Sequence, residues 1–125
     1  MVRWLVDGMN VIGSRPDGWW RDRPAARCRL ARELAALAAA TGDEVAVVFD
    51  GHPHECGISS VDISFAAGGR NAADDEIARR VEADGAGQAL RVVTSDAELA
   101  SRAHAAGAEV EGSGTFRRRL DEVAS

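Results

Sequence analysis

Four aspartates stand where apolar runs end, and their chemistry sets the reading of the chain. Asp7 closes RWLVD (3–7), Asp50 closes EVAVVFD (44–50), Asp96 follows LRVVTS (90–95), and Asp74 follows the run from Val61 after a glycine break. If those runs are neighbouring parallel strands, the first three acids leave the sheet on one edge. Asp74 shares a helical stripe with Ile77 and Val81, at i, i+3 and i+7, so it sits at the head of a core-facing stripe; Asp75 is turned about 100° away. Clustered carboxylates repel one another and raise each other's pKa. A hard divalent cation with oxygen ligands, Mg²⁺ or Mn²⁺, relieves that repulsion. Such an ion lowers the pKa of a bound water and stabilises charge on a phosphodiester. Asn10, three residues after Asp7, supplies an amide for that water or a phosphate oxygen. Any one aspartate read alone is as well explained as a helix cap. Four converging on one crevice are better explained together.

The elements that must position these acids are legible in the pattern. The first run is near-continuously apolar, as a central parallel strand should be. Gly8 to Arg23 reads as a loop rich in Gly, Pro and Asp. Asp22 caps a following helix with Pro24 in its first turn. Leu30, Leu34 and Leu37 form that helix's buried face, Arg29 and Arg32 stand outside, and Gly42 stops it. Glu44 to Phe49 is the second strand. Val61, Ile63 and Phe65 alternate with Asp62 and Ser64 as an edge strand. Asn71 is placed to cap the next helix, and Ser95 with Glu98 has the spacing of a capping box for the one after. Ala108 to Glu111 is a short edge strand, and Thr115 is the expected cap of a last helix with Phe116, Leu120 and Val123 inward. Strands alternating with helices predict a three-layer α/β/α sandwich around a mostly parallel five-stranded sheet. Ligands then bind at the carboxyl ends of the strands.

The length of 125 residues suits one domain spanning 1–125, and 46% hydrophobic residues excludes a disordered chain. No apolar run approaches the ~20 residues of a membrane span. The N-terminus lacks a signal-peptide layout, so the cytoplasm is the expected location. Cys28 and Cys56, far apart and outside any CxxC, are expected as two reduced thiols. The net charge of −5 argues against binding nucleic acid through a bulk basic surface, but an acidic metal site itself contributes to that charge. All fifteen basic residues are arginine, a type suited to bidentate phosphate contact.

Several features carry two readings. His52, His54 and Cys56, spaced by two, would share a strand face as zinc ligands with His104 as a fourth; Pro53 and Gly57 favour a loop instead. His52 beside the Asp50 turn can also touch substrate. Trp19 and Trp20 suit either base stacking or packing over the first loop. The stretch GSGT (112–115) with Arg117, Arg118 and Arg119 can hold a phosphate or form a solvated face. Arg15, Arg21 and Arg70 are comparable loop cations. A nucleophilic-aspartate phosphatase is excluded, because Met9 stands where that chemistry needs a second acid.

LVDGMNVIGS (5–14), VVFDGH (47–52), NAADDEIARRV (71–81) and VVTSDAELA (92–100) together resemble the YacP-like NYN-domain ribonucleases of the PIN-like nuclease superfamily. FDGHP (49–53) also resembles the matching turn of flap endonucleases. The resemblance spans nearly the whole chain. It implies a PIN-like fold and a metal-dependent endoribonuclease in which Asp7, Asp74 and Asp96 form the metal site, with Asn10 and Asp50 alongside. It places Ser95 in a Thr/Ser-Ser-Asp turn that orients Asp96, and it implies RNA as substrate, including messenger RNA on the ribosome. Asn10, Ser95, Arg70 and Arg117 are the expected substrate contacts. The alternative class is an RNA-binding or adaptor domain that keeps the fold without turnover.

Overall fold

In the computed structural model, which describes residues 1–69, 71–84 and 89–125, five strands form one sheet. The strands are β1 (Arg3–Asp7), β2 (Glu44–Asp50), β3 (Asp62–Ala66), β4 (Leu90–Val93) and β5 (Glu109–Glu111), in the order β3-β2-β1-β4-β5. Every pairing is parallel, so the sheet is wholly rather than mostly parallel. β1 is central: Asp7 lies opposite Val48 of β2, and Val6 opposite Val93 of β4. That register fixes the acids that follow these strands to one edge.

Helices cover both faces, giving the expected α/β/α layering. One face packs α1 (Gly8–Gly13), α2 (Arg23–Thr41) and α5 (Ser113–Ala124) through Ile12, Leu30, Leu34, Leu37, Phe116 and Leu120. The other packs α3 (Ala72–Asp84) and α4 (Ala97–Ala105) through Ile77, Val81, Leu99 and Ala103. The leucine stripe of α2 is fully buried, with Arg29 and Arg32 exposed, as its spacing requires.

Local departures from the sequence reading have physical causes. Gly8 to Arg23 is not all loop: α1 begins directly after Asp7, and Trp19–Arg21 form a 3₁₀ turn. Apolar Val11 and Ile12 drive the helix by burying themselves against the sheet, a tertiary gain that Gly- and Pro-rich surroundings conceal. Ser95 does not cap α4; Asp96 does, accepting from Leu99 N at 2.8 Å. Thr115 does not cap α5, which starts earlier, after Gly112. α3 opens after Asn71, whose carbonyl accepts from Asp75 N at 3.0 Å, and its terminus also meets Asp50, whose Oδ1 accepts from Ala73 N at 3.2 Å.

The cysteines are also corrected. Cys28 of α2 and Cys56 of the β2–β3 loop are joined as a disulfide. Sequence spacing could not show this, because residues 28 apart meet only once the loop lies against α2. That loop replaces a crossover helix: Ile58 and Val61 pack into the α2-side core. Among the described residues, no helix is long and apolar enough to cross a membrane.

Candidate active site

The site begins with Asp7. β1 is buried along its length and ends on this residue, which is only 4% exposed. The chain must turn at once into α1, and Gly8 permits it: a Cβ there would stand 2.4 Å from a ring carbon of buried Phe49. Thr94, at the end of β4, donates its hydroxyl to Asp7 Oδ2 at 2.9 Å and accepts from Asp96 N at 3.1 Å. One buried hydroxyl thus joins the β1 acid to the turn carrying the β4 acid. Sequence reasoning gave that positioning role to Ser95; the structure gives it to Thr94. A threonine within an apolar run carries no signal beyond its place in the T-S-D turn.

Ser95 has other duties. Its backbone N donates to Asn10 Oδ1 at 2.9 Å, and its hydroxyl accepts from Ser113 N at 2.8 Å. Ser113, only 1% exposed, also donates its hydroxyl to Asn10 Oδ1. A backbone N–H can only donate, so the Asn10 atom facing Ser95 is oxygen. Both contacts fall on that oxygen, which leaves the amide nitrogen as the donor end. Ser113 was missed by sequence reasoning, since a serine in GSGT signals only a helix start.

Electrostatics tie the acids together. Burial is the main cause that raises the Asp7 carboxyl to about 7, with repulsion from Asp74 and Asp50 adding and the Thr94 hydrogen bond opposing. Asp74 is also raised, first by burial and then by Asp96, Asp50, Asp75 and Glu98. Asp74 thus repels Asp7, Asp50 and Asp96 and links the group electrostatically. Asn71, Asp74, Asp96 and Glu98 line a small cavity of about 70 Å³. Asp75 and Arg102 line it too, paired with each other at 3.1 Å. Among the described residues, no arginine forms an ion pair with Asp7, Asp50, Asp74 or Asp96.

No three acids of the described residues bring oxygens within 4.8 Å of one another. The donor set nevertheless fits a hard cation: all oxygen, mutually repelling and, among the described residues, in no ion pair with an arginine. Mg²⁺ commonly keeps several waters and takes only one or two carboxylates directly, so it does not need three acids that close.

The other candidates are placed as follows. Asp50, half-buried, is held from behind by Arg27 of α2, whose Nη2 donates to the Asp50 carbonyl at 2.8 Å. Gly51 follows at φ +113°, where a Cβ would meet that guanidinium at 2.8 Å. Arg117 is not turned to a phosphate: it pairs with Glu33 of α2 at 2.8 Å and its side chain is 12% exposed. Arg15 pairs with Asp121. Arg70 lies outside the described residues. Trp19 packs against the core beneath Arg23, whose guanidinium sits 5.0 Å from its ring, whereas Trp20 is 49% exposed. Packing therefore accounts for Trp19 and leaves Trp20 as the candidate stacking surface. His52 is exposed, and His104 is exposed on α4, across the sheet from His54.

The model of the YacP-like NYN domain matches residues 4–125. The chain belongs to this family. Two solved structures agree, both of Rae1 (YacP) from Bacillus subtilis. A point mutant matches with a TM-score of 0.82 at 27% identity, covering 99% of this chain and 77% of that one. A second matches with a TM-score of 0.79 at 27% identity, covering 99% and 76%. A comparison with curated proteins returned no match. Membership gives this YacP-like NYN domain a nuclease-type, RNA-related function.

Proposed function

We propose that this YacP-like NYN domain is a metal-dependent endoribonuclease whose centre is the acidic edge of β1 and β4. The observation that carries the reading is Asp7: a carboxyl buried at a strand end, facing Asp74 and Asp50, with no cationic side chain paired to it among the described residues. Asp7, Asp74 and Asp96 would hold Mg²⁺ or Mn²⁺, directly or through water. Bound there, the ion supplies positive charge against a scissile phosphate and lowers the pKa of an attacking water.

The chain's own residues do the rest. Thr94 fixes the Asp7 carboxylate toward the Asp96 turn. Asp50 braces the α3 terminus that presents Asp74. Asn10, with its oxygen fixed by Ser95 and Ser113, directs its amide N–H to a non-bridging phosphate oxygen. Water adds to phosphorus, the P–O3′ bond breaks, and the products are a 3′-hydroxyl and a 5′-phosphate. Messenger RNA on the ribosome belongs to the same proposal as the physiological substrate, and the cytoplasm as its location.

The test is cleavage of a mixed RNA pool with Mn²⁺ or Mg²⁺ by wild type, Asp7→Asn and Asp74→Asn. Cutting by wild type alone, abolished by EDTA and leaving 5′-phosphates, supports the reading. Cleavage that persists in EDTA or leaves cyclic phosphates refutes it. RNA binding without turnover, on free RNA and on translating ribosomes, would instead favour a non-catalytic adaptor.

A further inference from the structure

A second constellation lies in the β2–β3 loop, built from residues the acidic site does not use. Cys28 of α2 and His54 and Cys56 of the loop bring their ligand atoms within 4.8 Å of one another, all three half-buried. His54 Nδ1 lies 3.9 Å from Cys28 Sγ. The imidazole is not adrift: it packs on Phe65 of β3, with ring centroids 4.9 Å apart. Two sulfurs and an imidazole are the donor set of Zn²⁺, unlike the all-oxygen set of the acids.

We propose that the reduced domain binds Zn²⁺ at Cys28, His54 and Cys56, with water in the fourth position, and that the Cys28–Cys56 disulfide is the closed state of the same site. Opening requires a dithiol reductant. The S–S bond breaks, the two sulfurs take up two electrons and two protons, and the reductant leaves as its own disulfide. Zn²⁺ then displaces both thiol protons to solvent.

The geometry allows this with a local shift. Two thiolates on a tetrahedral zinc lie ~3.8 Å apart, given Zn–S bonds of ~2.3 Å, so the bonded sulfurs must separate. Cys56 sits in a stretch without regular secondary structure between β2 and β3, and the movement falls there rather than on α2. Binding through Nδ1 leaves the ring proton on Nε2, which faces Arg27 Nη1 at 3.5 Å. Arg27 gives up that contact and keeps its bond to the Asp50 carbonyl. Its positive charge also favours the thiolate forms.

The experiment is a Co²⁺ titration of the full chain, reduced with a dithiol and then freed of it without air. One equivalent of Co²⁺ should give thiolate-to-metal charge-transfer absorption, displaced by one equivalent of Zn²⁺ and absent from the oxidised protein. Loss of an outer partner alone typically costs such sites ~10–100-fold in affinity; Cys56→Ser and His54→Ala, which lose a ligand, should lose at least as much. Asp7→Asn should keep the band, which separates this site from the acids. A reduced chain without the band, folded or not, overturns the proposal, as does a band unchanged in Cys56→Ser. The cysteines are then a crosslink only.

Discussion

Replacing Asp7 with asparagine should favour the cation-free variant over wild type increasingly as pH rises, although it removes the central acid of the site. The native carboxyl titrates near 7 instead of 3.8. Between those values the native state holds a proton that the unfolded chain has released, so wild-type stability falls as pH rises and levels off above about 7. The full penalty is ~4 kcal/mol at pH 8, at 1.36 kcal/mol for each pH unit of the shift, and only ~1 kcal/mol at pH 4.5. Asparagine keeps an oxygen to accept from Thr94 and does not ionise. Its own cost as a buried amide does not vary with pH, so it cancels when two pH values are compared. Asp7→Asn should therefore gain ~3 kcal/mol on wild type between pH 4.5 and 8. Urea unfolding of both proteins in EDTA at the two pH values measures this directly. Adding Mn²⁺ should then stabilise wild type and leave the variant behind, since a ligand of the native state adds its binding free energy. A gap between the two proteins that does not change with pH would refute the burial argument.

Other substitutions test the supports of the site. Gly8→Ala drives a Cβ into Phe49 and Val47, both wholly buried, and should cost ~2 kcal/mol in denaturant unfolding. Thr94→Val removes the hydrogen bond that lowers the Asp7 pKa; it should cost ~1–2 kcal/mol and move the fall in stability to higher pH, while Thr94→Ser restores both. Asp50→Ala should lose ~1 kcal/mol from the α3 terminus, whereas Asp50→Asn keeps the acceptor for Ala73 N and so isolates the effect of charge on RNA cleavage. Ser113→Ala leaves the Asn10 oxygen held by the Ser95 N–H alone and should lower the rate of RNA cleavage more than it lowers stability, a split read by comparing turnover with urea midpoints.

The strands and their acids were legible because buried parallel strands write themselves as apolar runs, and because a parallel sheet sends every strand end to one edge. The phase of Asp74 with Ile77 and Val81 was legible for the same reason, since a helix keeps its face through the first turn. What escaped was whatever depends on two distant segments meeting. α1 exists because Val11 and Ile12 find the sheet. The Asp50 cap on α3 needs β2 and α3 side by side, 23 residues apart. Ser113 reaches Asn10 across 103 residues, and Arg117 finds Glu33 across 84. Local propensity assigned Ser95, Thr115 and Asn71 as caps because their spacing allowed it. The helices start instead after Asp96 and Gly112 for the first two, while α3 does open after Asn71 and adds a distant partner, Asp50.

Neutral hydrogen bonds explain how acids that form no ion pair with an arginine among the described residues are still held. Each acid whose anchor is visible is fixed through a neutral group: Asp7 by the Thr94 hydroxyl, Asp50 by the Ala73 N–H, Asp96 by the Leu99 N–H. Hydrogen bonds of this kind position a carboxylate without neutralising it. An arginine in any of those places would have lowered its partner's pKa and stabilised the fold, but it would also have occupied the charge a metal ion needs. Among the described residues, three arginines near the site are directed elsewhere: Arg27 to the Asp50 carbonyl, Arg102 to Asp75, and Arg117 to Glu33. The fold thus accepts strain at Asp7 and Asp74 that a cation would relieve. A purely structural role for these acids gives no reason to keep it.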